Sequence, residues 1–306
     1  MLEIVAALGP VFLLVLAGVV LNLLRFPGDD FWPLAERFVY FLLFPALLIR
    51  TLGGANFNDV AVTPLALSVV VPLLLVTALM LLAGPLVHRR GAGFTSVYQG
   101  AIRFNTYVAL SAAEQLFGEA GLALAAMTIA WMIPLINILC VGVFALKIKE
   151  DAFSWRSIGR NLAHNPLIVG CTVGLLLNIS GIGLPGWLGP SLNLLGQPAL
   201  PLGLLAVGVG LHLHLDRGVL RDLGLSALIK FMLMPLLVYG VGRLVGLQGM
   251  GLQIAVLFFA MPTASSAYIL AKQMGGDAPL MAKVITGQTL LAMLTLPLTM
   301  ALVSRL

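Results

Sequence analysis

The stretch Gln253–Gln273, QIAVLFFAMPTASSAYILAKQ, decides how this chain is read. It is long enough to cross a bilayer, since about 20 apolar residues span the hydrocarbon core. Its middle, Met261-Pro262-Thr263-Ala264-Ser265-Ser266, is poor material for a continuous helix. Pro262 removes a backbone donor and its ring clashes with the preceding turn. The hydroxyl residues after it can bond locally to freed backbone groups. Non-helical backbone at membrane depth persists only where protein or a wet cavity covers it. The stretch therefore reads as a broken helix beside a substrate site.

The rest of the chain supports a membrane setting. Hydrophobic residues make up 60% of it and charged residues only 9%, with a mean hydropathy of +1.06. A soluble domain carries about 25% charged residues, so the fold class expected is an all-α polytopic membrane protein. The net charge of +5 does not indicate nucleic-acid binding, because the basic residues sit in short loops between apolar runs. Cys140 and Cys171 lie inside apolar runs and suggest packing, with neither a disulfide framework nor a metal site.

Ten spans are expected: Ile4–Leu24, Trp32–Leu52, Pro64–Val87, Thr95–Phe117 and Gly121–Leu146, then Leu162–Ile179, Pro190–Leu211, Leu223–Val245, Gly251–Gln273 and Pro279–Val303. The first is not read as a cleavable signal peptide: Glu3 replaces a basic n-region and the apolar core is too long. The polar connector 147–161 separates two halves, 1–146 and 162–306. With the N-terminus outside, one set of loops holds Arg25, Arg37, Arg89, Arg90, Lys147, Lys149, Arg156, Arg160, Arg217, Arg221 and Lys272. The other side keeps Arg50, Arg243 and Arg305. By the positive-inside rule both termini face out from a cell inner (plasma) membrane.

The halves repeat each other. At an offset of 156, Pro10 meets Pro166, Gly18 meets Gly174, Asn22 meets Asn178 and Pro45 meets Pro201. At 158, Gln115 meets Gln273, Gly118 meets Gly276 and Thr128 meets Thr286; at 163, Pro72 meets Pro235. Five spans per repeat is odd, so the second copy enters the membrane inverted, with discontinuous helices meeting near the midplane. Met261-Pro262-Thr263 then aligns with Arg103-Phe104-Asn105 of the fourth span, which has no central proline but holds Arg103, Asn105, Thr106, Tyr107 and Ser111. Such polar density at membrane depth implies a cavity. Half-helix N-termini aimed at one point suit a carboxylate, and Arg103 could grip an anion in a bidentate manner.

The stretch Arg103-Phe104-Asn105-Thr106-Tyr107, with Leu116-Phe117-Gly118 and Gly121, resembles the fourth span of the auxin efflux carrier family in its bacterial, malonate-carrier-like branch. Asn165-Pro166-Leu167-Ile168, Gly174 to Asn178 and Pro198 to Gly208 resemble the start of that family's second half; Met261-Pro262 to Ala271 with Gly275-Gly276-Asp277 resembles its ninth span. The resemblance implies a ten-span plan like that of bile-acid symporters, with helices 4 and 9 crossing. It also implies a scaffold (1–52 with 162–211), a moving transport unit (64–146 with 223–303) and a homodimer through the scaffold helices. The plant exporters' long cytoplasmic loop is missing from this chain.

The substrate-binding candidates are Asn105, Arg103, Thr106, Tyr107, Pro262, Thr263, Ser265 and Ser266. Asn105 reads either as a ligand or as an amide that satisfies broken backbone. Arg103 reads as an anion partner, a snorkelling side chain, or a partner of Glu114. Glu114 is a proton-carrying candidate or a cap near the outer surface. Gln115, Gln273, Gln288, Asn137 and Thr128 are cavity or coupling candidates, or interhelical hydrogen bonders. Lys230 and Lys283 are expected to reach an interface or a carboxylate. His212 and His214, two apart on a helix, share no face and are not read as a metal site. Pro45 and Pro201 read as matched kinks, and Gly203, Gly208 and Gly210 as close packing at a dimer interface.

HExxH, G-x-S-x-G and Walker sequences are missing, and no cofactor is expected. The function expected is secondary-active transport of a small organic carboxylate by alternating access. A sodium-coupled bile-acid-type symporter is the alternative, with more carboxylate and hydroxyl ligands at its crossover. A channel would need a continuous polar pore. An intramembrane enzyme would need a base beside Ser265 or Ser266.

Overall fold

The computed structural model describes residues 2–28, 30–57, 61–84, 91–148, 159–160, 163–211 and 217–305, and the regular structure among them is entirely helical. The first half holds α1 (Leu2–Leu23), α2 (Phe31–Phe38), α3 (Phe44–Gly53), α4 (Val62–Leu82), α5 (Gly91–Ile102) and α6 (Thr106–Lys147). The second holds α7 (Pro166–Ile179), α8 (Leu188–Gly196), α9 (Ala199–Val209), α10 (Leu220–Leu228), α11 (Met234–Leu244), α12 (Gly249–Phe259), α13 (Ser266–Met274) and α14 (Ala278–Val303). Most of the connector 147–161, with Arg89, Arg90, Lys149, Arg156, His212 and His214, lies outside the described residues.

Capping residues set several starts. The Asn105 Oδ1 accepts from the Tyr107 and Val108 N–H groups at 3.0 and 3.2 Å. Asn165 does the same for Leu167 and Ile168 at 3.0 and 3.4 Å, and Pro166 occupies the first helical position, where a missing N–H costs nothing. α14 opens at Asp277, whose Oδ1 accepts from the Leu280 N–H at 2.9 Å. Glycine sets the bend inside α6, because Gly118 adopts φ 63, ψ −154, a conformation open essentially to glycine alone.

Seven helical stretches are long and apolar enough to cross a membrane: Leu2–Leu23, Phe31–Gly53, Val62–Leu82, Gly91–Lys147, Leu188–Val209, Leu220–Leu244 and Ala278–Val303. With the outward-facing leucines and phenylalanines, such as Leu13, Phe41, Leu79 and Leu294, they make this a multi-pass membrane protein. Gly91–Lys147, at 57 residues, takes in both predicted spans four and five. The sixth predicted span is shorter than expected, because α7 begins only after Asn165. The ninth is divided into α12 and α13, with residues 260–265 non-helical between them.

Proline acts differently from the expected matched kinks. Two stretches of π-helix, Val39–Leu43 and Ile229–Leu233, run straight into Pro45 and Pro235. A ring with no N–H to give favours the wider turn before it. Pro201 instead sits in the first turn of α9, and the break in its span falls earlier, at Gln197-Pro198. The glycines do give the close helix packing expected of them. A Cβ on Gly208 would overlap the Val15 carbonyl oxygen, and one on Gly203 would meet the Tyr107 ring at 2.6 Å. Both therefore serve packing within one chain.

α1 lies along α9, α3 lies along α7 and α8, and α4 packs on α11. α5 is held between α10 and α14. The buried core is continuous through these contacts, and the two helix breaks lie within it.

Candidate functional site

Neither break is loose. The Asn105 N–H donates to the Pro262 carbonyl at 2.7 Å, joining one interrupted helix to the other. Thr263 is fully buried; its N–H donates to Gln288 Oε1 at 3.1 Å, and its Oγ1 lies 3.0 Å from the Gly100 carbonyl and 2.9 Å from Gln288 Oε1. The Gln288 amide also donates to the Gly100 carbonyl at 3.0 Å and to Ser226 Oγ at 3.3 Å. The Phe104 and Phe258 rings pack edge-on, 5.3 Å apart. Buried backbone without helical partners needs this kind of accounting. Pro262, Thr263 and Gln288 are therefore a frame behind the site, and none of the three lines its cavity.

In front of the frame is a cavity of about 430 Å³. Both breaks supply its wall, Arg103 to Tyr107 from one and Ala264 to Ser266 from the other. Asn137, Asn165, Gln273, Tyr40, Glu36 and Arg37 complete its polar lining. Arg103 is 8% exposed. Its Nη1 donates to Ser266 Oγ at 3.0 Å and its Nη2 to Asn137 Oδ1 at 2.7 Å, while Nε has no partner. All these partners are neutral; an ion pair elsewhere joins Arg50 to Glu119. Arg103 does not meet Glu114, which lines a different cavity.

The remaining candidates divide clearly. Asn105 satisfies broken backbone, since its Oδ1 caps α6; it also lines the cavity, where its Nδ2 is the donor it could offer a ligand. Three helices start at this wall, α6 at Thr106, α7 at Pro166 and α13 at Ser266, so partial positive charge from their N-termini falls on the cavity. Ser265 has no side-chain cap bond. Gln115 lines the Glu114 cavity, whereas Gln273 lines the Arg103 cavity. Thr128 donates to the Leu124 carbonyl of its own helix at 2.8 Å. Lys230 reaches neither interface nor carboxylate; it is fully buried and its Nζ has no partner. Lys283 is half-buried on α14.

Sequence reasoning missed Glu36 and Tyr40. Their i, i+4 spacing puts both on one helix face, a signal that was present but lost among the apolar residues of that span. Phe44 continues the same face and packs its ring 4.7 Å from Tyr107.

Comparison with known proteins points to membrane transport. Residues 151–300 match the family described as membrane transport protein. A protein of Methanothermobacter thermautotrophicus described as "Uncharacterized transporter" is 24% identical over 292 residues, covering 94% of each chain. A Rhizobium meliloti protein described as "Putative malonate transporter" is 28% identical over 128 residues, 42% of this chain and 40% of its own. The resemblance to the auxin efflux carriers is borne out by the family match.

Proposed function

We propose that this chain, a membrane transporter of the auxin efflux carrier family, carries a small organic carboxylate bound where its two interrupted helices meet. One observation carries the reading: the Arg103 guanidinium is buried against a cavity and has only neutral partners. A buried charge without a counter-ion is costly, and an anion in the cavity supplies that counter-ion. The Nδ2 of Asn105 and the first-turn N–H groups of α13 add donors around it. The malonate named for the Rhizobium relative is of this chemical class.

The mechanism proposed is alternating access across ten spans in two inverted repeats, with both termini outside the inner membrane and the Arg103 cavity facing the cytoplasm. The glycine crossings support the repeat. A Cβ on Gly18 would strike Leu205 and Gly208, and one on Gly174 would strike Ile49 and Leu52. Adding 156 turns 18, 49 and 52 into 174, 205 and 208, so the first half's contact on the second is repeated in reverse. This pairing joins 1–52 to 162–211 as a scaffold, against which 64–146 with 223–303 moves, and a homodimer through that scaffold completes the proposal. Uptake of labelled malonate and other small carboxylates into liposomes tests it. Flux that is lost in Arg103→Gln supports the reading, and no flux of any carboxylate in the wild type overturns it.

A further inference from the structure

The anion site leaves a second cavity unused. It measures about 370 Å³ and lies at the far ends of the same helical stretches, between α1, α3, α6 and the α8–α9 break. Its polar lining is Ser111, Glu114, Gln115, Asn193, Gln197 and the Arg50–Glu119 pair. Arg50 comes from α3, while Glu119 follows the Gly118 bend of α6; α1 and the α8–α9 segment contribute uncharged residues to the lining. Arg50 Nη2 donates to Glu119 Oε1 at 2.9 Å, so those two charges answer each other. Glu114 is half-buried and has no hydrogen bond or ion pair among the described residues. Ser111, one turn earlier and so on the same face, is 4% exposed, and its buried Oγ also has no partner.

A carboxylate, an idle hydroxyl and amide oxygens around one polar space form a donor set without a cation. At the other end of the first section of α6, Arg103 is a cation without an anion. We infer that the Glu114 cavity binds a small monovalent cation, either a proton on the carboxylate or a sodium ion among the oxygens, and that this cation travels with the anion held at Arg103. The coupling rests on the carboxylate-transport reading above; the binding of the cation does not. Intramembrane carboxylates commonly serve as ion or proton relays, and broken helices in transporters supply free carbonyls to such sites.

Two measurements on the full-length protein test this. Without substrate, thermal denaturation is compared in sodium and in choline, and across pH. Melting should respond to one of the two cations, a response that Glu114→Gln removes and Ser111→Ala weakens. In liposomes held at zero potential, an inward gradient of that same cation should speed malonate uptake about 5-fold or more. Glu114→Gln should lose this response yet still be stabilised by malonate. If melting and uptake of the wild type ignore both cations, or if Glu114→Gln responds as the wild type does, the inference is overturned. If no carboxylate is carried but melting keeps its Glu114-dependent cation response, the anion reading fails and the cation site stands.

Discussion

Replacing Arg103 by glutamine should weaken substrate binding without weakening the folded protein. The side chain is 8% exposed and donates to Ser266 and Asn137, so glutamine can keep a neutral hydrogen bond while the charge is removed. A charge-assisted bond to a carboxylate contributes about 1.5–3 kcal/mol. At about 1.4 kcal/mol per decade, Kd should rise about 10- to 150-fold. A ligand at 100 times the wild-type Kd stabilises by about 2.7 kcal/mol, and in the variant this should fall to roughly 0.3–1.4 kcal/mol. Stability without ligand should move the other way or hold, because burying an ion beside neutral partners costs several kcal/mol. Arg103→Lys should fall between, since it keeps the charge and loses the planar fork. Thermal denaturation with and without malonate reads both signs in one assay. Full ligand stabilisation in Arg103→Gln, or a loss of stability in the absence of ligand, would refute the reasoning.

Thr263→Val should lower stability by about 1–3 kcal/mol, because it withdraws a buried donor from the Gly100 and Gln288 oxygens. Its malonate Kd should stay near wild type, as the side chain faces away from the cavity; titration of the melting temperature checks both. Gly208→Ala should separate α9 from α1, since its Cβ would overlap the Val15 carbonyl. Overpacking of this kind costs about 1–3 kcal/mol, readable as a lower melting temperature. Lys230→Met should stabilise the protein, because a fully buried Nζ without a partner is replaced by an apolar chain of similar length. A fall in its melting temperature would show that Lys230 has an unrecognised partner.

The break in the ninth predicted span was readable because proline announces itself through its missing donor. The break in the fourth was harder, since Arg103-Phe104-Asn105 contains no residue that forbids a helix. What ends the helix there is Asn105 acting as the cap of the next one, a role the sequence offers but does not compel. The repeat alignment pointed to residues 103–105, where local propensity alone would have continued the helix. The division between frame and cavity was not legible. Thr263 and Ser266 look equivalent in the sequence, yet one is fully buried against Gln288 and the other meets Arg103. That difference depends on where α14 and α6 pass, which no local pattern encodes. The turns before Pro45 and Pro235 were similarly hidden, because proline predicts a disturbance without fixing whether it takes the form of a kink or a wider turn.

The most direct measurement is a density map of the protein with bound malonate. The account predicts ligand density within hydrogen-bonding distance of the Arg103 guanidinium and the Asn105 amide, between the starts of α6 and α13. Density at another site with the Arg103 cavity empty, or continuous helix through residues 103–105 and 260–265, would contradict it.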